Sequence, residues 1–144
     1  MKFSDRIQHL CEASTYTIKT APIDGVTGRG QTMYRAESKG GETSGQYGKG
    51  QYLSDSKDGA KLFMAGNRKI AEYQVKHPKV LHVYETSDSD DANVEMLRAI
   101  CEFVKVDAHS WNQLNTNLKN KGYGGIYFHY QNGGEFLGYG GHLV

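Results

Sequence analysis

The chain ends in two runs of strand-forming residues, GIYFHY (125–130) and EFLGY (135–139), separated by QNGG. Asn-Gly between runs of this kind is the strongest short-range signal for a β-hairpin, because a tight two-residue turn needs backbone conformations that Asn and Gly adopt cheaply. An isolated hairpin is marginal in water, so the rest of the chain has to supply more strands or a covering helix.

It supplies both. TMYRA (32–36), IAEYQV (70–75) and KVLHVYE (79–85) alternate as strands, the last two flanking Pro78. Ser4 caps a predicted helix to about Ala13, with Ile7, Leu10 and Cys11 on one face. A second begins near Ser56 and turns Ala60, Phe63 and Met64 inward. SDSDDAN (87–93) is an acidic start to VEMLRAICEFV, where Val94, Leu97, Ile100, Cys101 and Val104 recur at helical spacing. The last helix spans about His109 to Asn120, with Trp111, Leu114 and Leu118 on one stripe and Gly122 as its stop. Residues 19–31 read as loop, and residues 37–50, with five glycines, as a flexible crossing over a site. Strands and helices mix without strict βαβ alternation, so the expected class is α+β.

The 144 residues suit one domain spanning 1–144 with a single core, and 38% hydrophobic content excludes a disordered chain. A net charge of +1 gives no electrostatic footprint for nucleic acid or an anionic membrane. Ten tyrosines against one tryptophan suit a polar, ligand-facing pocket. Cys11 and Cys101 sit in apolar helical patterns and read as buried free thiols. The sequence shows no signal peptide and no membrane-spanning run, so a cytoplasmic protein is expected.

Several patterns exclude common chemistries. GQYGKG (45–50) lacks the Lys-Ser/Thr that opens the helix of a phosphate-binding loop. The six histidines show no ligand spacing, the cysteines form no CxxC pair, and Asp88, Asp90 and Asp91 lack the glycine and distal glutamate of a calcium loop. No metal is expected.

Three segments remain: Tyr34-Arg35 on a strand, GKGQYLSDS (48–56) running into a helix, and GYGGI (122–126) followed by Glu135-Phe136-Leu137-Gly138-Tyr139. Taken singly, a strand arginine or a strand glutamate is most simply solvent-facing. In this order, the three resemble the ADP-ribosyltransferase superfamily. The GKGxY segment with an aromatic eleven residues after its tyrosine, here Tyr52 and Phe63, is similar to the poly(ADP-ribose) polymerase branch, as is the glutamate–aromatic run at Glu135. Arg35 on the first strand and the aromatic-x-Ser-x-Ser of Tyr52, Ser54 and Ser56 resemble the mono-ADP-ribosyltransferase toxins.

The resemblance implies a split mixed/antiparallel sheet with flanking helices, NAD as co-substrate, and Glu135 as the catalytic carboxylate. It places Glu135, Tyr52, Ser54 and the Arg35 guanidinium in one cleft. Cleavage of the nicotinamide–ribose bond passes through an oxocarbenium-like state, which a fixed carboxylate stabilises. Tyr52 and Phe63 would wall the nicotinamide, and backbone at Ala36 would bind its amide. Arg35 would hold phosphate or ribose hydroxyls, Ser54 would hold the glutamate in register, and Ser56 would cap the helix. Glycines 48 and 50 would let backbone approach the cofactor. Gln131 and Asn132 are placed for acceptor recognition.

The polymerase branch has histidine where Arg35 stands, and arginine-modifying toxins have a second glutamate where Gly133 stands, so modification of arginine is disfavoured. The expected activity is mono-ADP-ribosyl transfer to a macromolecular acceptor, a protein before a nucleic acid, by a monomeric bacterial or phage effector. Alternatives are an NAD glycohydrolase, a noncatalytic NAD- or ADP-ribose-binding module, and transfer of an RNA 2′-phosphate to NAD, which the charge balance disfavours.

Overall fold

A computed structural model describes residues 16–37, 44–45, 47–61, 69–85, 92–130 and 133–139. The strands are β1 (Tyr16–Ala21), β2 (Gln31–Glu37), β3 (Ser44–Gly45), β4 (Gly48–Lys49), β5 (Gln51–Ser54), β6 (Lys69–Val75), β7 (Val80–Glu85), β8 (Gly125–Tyr130) and β9 (Gly133–Gly138). The helices are α1 (Lys57–Lys61), α2 (Ala92–Val104) and α3 (Trp111–Asn120). The expected helix at Ser4–Ala13, with Cys11, lies outside the described residues.

Seven strands form one mixed sheet in the order β1-β7-β8-β9-β5-β2-β6, and β3 and β4 form a separate ribbon. β7 and β8 are parallel; the other neighbours are antiparallel. A parallel pair cannot be joined by a tight turn, and here the crossover carries α2 and α3. This is a mixed α+β fold, as the strand and helix pattern implies.

Both crossover helices press on one face of the sheet. Met96, Ile100 and Val104 of α2, with Leu114 and Leu118 of α3, pack on Leu81, Val83, Ile126, Phe128 and Leu137. Helical spacing on α2 allowed Val94 to join this stripe, but it is 64% exposed, and the inward row is centred on Met96 instead. Cys101 is a free thiol, only half-buried. Ser110 caps α3 by accepting from Gln113 N at 3.2 Å, and Gly122 follows its end with φ +89°.

The opposite face has its own core of Ile23, Met33, Leu53, Val75, Val80, Tyr127 and Phe136. Ile23 comes from the loop after β1, whose turn is held by Asp24 accepting from the backbone N of Val26, Thr27 and Gly28. β1 itself corrects the reading of residue 19 onward as loop: it is an edge strand, buried on one side only, paired from Tyr16↔Glu85 to Ala21↔Val80. Among the described residues, no helix is long and apolar enough to cross a membrane.

Candidate functional site

The site is assembled by strand register. Ser54 on β5 is the partner of Glu135 on β9 and also of Tyr34 on β2. Glu135 is in turn the partner of Phe128 on β8. Cross-strand partners share a face, so Tyr34, Ser54, Glu135 and Phe128 form one row across the sheet, on the side covered by the helices. Tyr52 and Tyr130, two residues along from Ser54 and Phe128, are diagonal neighbours of the glutamate.

Glu135 has no hydrogen bond or ion pair to any other described residue. Burial among these rings therefore acts unopposed and pushes its carboxyl up to about 7. Such a carboxyl exchanges its proton near neutrality, and when ionised it is an anion with little to neutralise it. A ligand that develops positive charge there would gain most from it.

The glycine turn closes this region through aromatic and amide side chains. Tyr47 is buried, stacks on Phe128 with centroids 4.0 Å apart, and meets Tyr130 hydroxyl to hydroxyl at 2.8 Å. The Tyr52 hydroxyl donates to Gly48 O at 2.5 Å and accepts from Tyr47 N at 3.1 Å. Burial raises the Tyr52 phenol to about 12, and the charge on nearby Glu135 adds to the rise. From α3, Asn115 Nδ2 donates to Tyr47 O at 2.9 Å while its Oδ1 accepts from the Tyr139 hydroxyl at 2.7 Å. Asn112 Oδ1 accepts from Lys49 N at 2.8 Å.

Residues 47–50 are thus fastened to α3, in place of the flexible crossing the glycines imply. Gly48 has φ +93°, and a Cβ there would lie 2.7 Å from Asn112 Oδ1. The space beside its Cα is taken by α3.

Ser54 is 7% exposed and accepts from Ser56 N at 3.4 Å, so its link to Glu135 is register and not a hydrogen bond. Ser56 caps α1, accepting from Gly59 N at 2.9 Å. Strand alternation sends Arg35 to the face of Met33 and Leu53, away from Glu135, because Tyr34 is the β2 residue level with Ser54. The single-cleft expectation is corrected on this point: Tyr34 takes the place expected of the guanidinium. Ala36 returns to the Ser54 side, two residues beyond the only bridge between β2 and β5, where the strands are no longer laddered. Phe63, Gln131 and Asn132 lie outside the described residues.

Sequence reading missed Tyr47, Asn115, Phe128 and Tyr130, and it named Tyr34 beside Arg35 without giving it a role. The hairpin does hold a clue to two of them. A two-residue loop at 131–132 pairs Tyr130 with Gly133, and so Phe128 with Glu135. Nothing local marks Tyr47 or Asn115.

A second polar cluster occupies the opposite face. Gln31 Nε2 donates to the Tyr127 hydroxyl at 2.7 Å, which donates to Asp55 Oδ2 at 3.2 Å. His82 Nδ1 and His129 Nε2 are 2.9 Å apart, and His82 Nε2 lies 2.7 Å from Pro22 O. His129 is stacked between Tyr84 and Tyr127, at 4.2 and 4.1 Å. Burial holds both imidazoles below their usual range, His129 at about 4. Among the described residues, no three His, Cys, Asp or Glu side chains are grouped to hold a metal ion.

No protein-family model, curated protein or solved structure matches the chain.

Proposed function

We propose that the chain is an ADP-ribosyltransferase of the corresponding fold, which cleaves NAD and passes ADP-ribose to a macromolecular acceptor. One observation carries this reading: Glu135, half-buried and without a hydrogen bond or ion pair to any described residue, is the register partner of Ser54 and a diagonal neighbour of Tyr52. These are the residues that the GKGxYxSxS and glutamate–aromatic motifs single out.

In this reaction the bond between ribose C1′ and the nicotinamide ring nitrogen breaks, and its electron pair leaves with nicotinamide. The ribose ring takes up positive charge, which ionised Glu135 stabilises. A nucleophile on the acceptor then bonds to C1′ and releases a proton. The carboxylate meets this charge chiefly in the transition state, so its contribution falls on turnover more than on binding. The aromatic surroundings of Glu135 suit a flat, neutral leaving group. β2 at Ala36 stays paired with β6 but not with β5, and the β5 side of its backbone is where the amide would bind.

The test is nicotinamide release from NAD by the pure protein, with and without a cell lysate. Release that requires lysate, with a mass gain of one ADP-ribose on a lysate component, is the expected result. Release without an acceptor assigns the glycohydrolase reading of the same site. NAD binding with no release under either condition assigns a noncatalytic module and overturns the proposal.

A further inference from the structure

Ser54 and Glu135 are the last register partners of the β5–β9 ladder. β5 leaves the sheet for α1 directly after Ser54, and β9 enters through Gly133 and Gly134. The end of a ladder is where a sheet opens most easily, and two successive glycines add backbone freedom to it. The structure supplies a fastening at this point, on the sheet face opposite Glu135.

Asp55, the residue after Ser54, extends the pairing with its backbone N, which donates to Gly134 O at 3.1 Å. Its side chain lies over the bare glycines. A Cβ on Gly133 would sit 3.2 Å from Asp55 Oδ1, and one on Gly134 would sit 2.9 Å from Asp55 Oδ2 and 2.5 Å from Tyr127 Cε1. Tyr127 completes the fastening from the neighbouring strand β8. It is 3% exposed, and its hydroxyl donates to Asp55 Oδ2 at 3.2 Å while accepting from Gln31 Nε2 at 2.7 Å. Burial pushes the phenol well above its usual value, so it stays protonated and remains the donor. One side-chain hydrogen bond thus spans β9 from β8 to the end of β5, immediately before Glu135.

We propose that Asp55 and Tyr127 are positioning residues for Glu135: their hydrogen bond across Gly134 keeps the start of β9 seated and the carboxylate level with Ser54. They act from behind the sheet and touch no substrate. Gly134 is glycine because the Asp55 carboxylate and the Tyr127 ring occupy the place of its side chain. The inference rests on the reading of Glu135 as the catalytic carboxylate, but the seating of that carboxylate is measurable without NAD.

The test follows the Glu135 carboxyl ¹³C signal against pH in the full chain, alongside kcat and KM for nicotinamide release from NAD. The midpoint should lie at about 7 in the parent. Tyr127→Phe removes the hydroxyl and changes no charge; by letting water reach Glu135 it should lower the midpoint by at least about one pH unit. Asp55→Asn removes a charge but keeps an acceptor oxygen, so its midpoint should stay near that of the parent. Asp55→Ala, at a half-buried position, should behave as Tyr127→Phe and takes its place if that variant does not fold. Both should lower kcat at least about tenfold with KM within about threefold, and Asp55→Asn should recover most of the loss. A midpoint unmoved by Tyr127→Phe and Asp55→Ala, a change in Asp55→Asn as large as in Asp55→Ala, or a parental kcat in a variant whose midpoint has moved would overturn the inference. The expected midpoints in a chain that releases no nicotinamide would uphold the fastening and overturn the catalytic reading instead.

Discussion

Glu135 and Ser54 face each other across the β5–β9 ladder, the carboxylate on the strand of the C-terminal hairpin and the serine where the glycine-rich segment turns into α1. Neither hydrogen-bonds the other, so their proximity is enforced by sheet register alone. Replacing the carboxylate with an amide of the same shape should therefore leave the geometry intact. Glu135→Gln is expected to lower kcat for nicotinamide release by about 10²-fold or more while changing NAD affinity only severalfold. Steady-state kinetics alongside calorimetric NAD binding checks this, and equal losses in both would remove Glu135 from the transition state.

The pH dependence follows from the same carboxyl. Ionised Glu135 is the active form, so kcat should rise with pH through about 7 and level off above it. Stability should move the other way. Between the ordinary carboxyl value of 4.5 and about 7, the unfolded chain releases this proton while the folded chain keeps it, so folding weakens as pH rises through that window. Glu135→Gln should abolish this loss and be more stable than the parent at pH 8, by on the order of 2 kcal/mol. Chemical denaturation of both proteins at pH 5 and pH 8 reads the difference directly.

Asn115 is 6% exposed and joins α3 to both Tyr47 and Tyr139. Asn115→Ala strands a buried carbonyl and a buried hydroxyl, at a cost of about 2 to 4 kcal/mol. Hydrogen exchange at residues 47–50 should rise with it, since the fastening of the turn is lost. A melting temperature unchanged by the substitution would show that the clamp carries no weight.

Tyr52→Phe separates two uses of one ring. It keeps the aromatic surface but removes the hydroxyl that bridges Gly48 O and Tyr47 N. Stability should fall by about 1 to 2 kcal/mol, while NAD affinity stays within a few fold if the ring acts by stacking. Loss of NAD binding in a variant that melts like the parent would assign the hydroxyl to the ligand instead.

On the other face, Pro22 O can only accept, so His82 must carry its proton on Nε2 and present Nδ1 as an acceptor. His129 then donates from Nε2. Two-dimensional imidazole ¹⁵N spectra should show Nε2–H tautomers for both residues. Because burial lowers both values, the unfolded chain takes up protons first as pH falls, and stability should drop between about 6.5 and 4. His82→Ala should lessen that dependence, and an unchanged slope would count against the buried pair.

Local pattern was enough wherever a segment is governed by its own neighbours. β2, β6, β7, α2, α3 and the hairpin follow from alternation, helical spacing and turn residues. β1 escaped because only one side of this edge strand is buried, leaving Tyr16 and Ile18 as its inward apolar signal, and because Pro22 and the following glycines drew the loop reading toward it. The Glu135 neighbourhood was legible as a list of residues and not as an arrangement. The single-residue shift that places Tyr34 beside Ser54 and sends Arg35 to the other face depends on pairing between distant segments. The fastening of the glycine turn by Asn112 and Asn115 likewise joins residues 63 and 68 positions apart, which no local window contains.

β9 is the last described strand in the chain and the middle one in the sheet, between β8 and β5. During translation it leaves the ribosome after every other described element. The two groups of strands that flank it, β1-β7-β8 and β5-β2-β6, have no common edge until it is inserted. Glu135 thus arrives together with the strand that joins them, and the row it completes cannot exist before that strand has been synthesised.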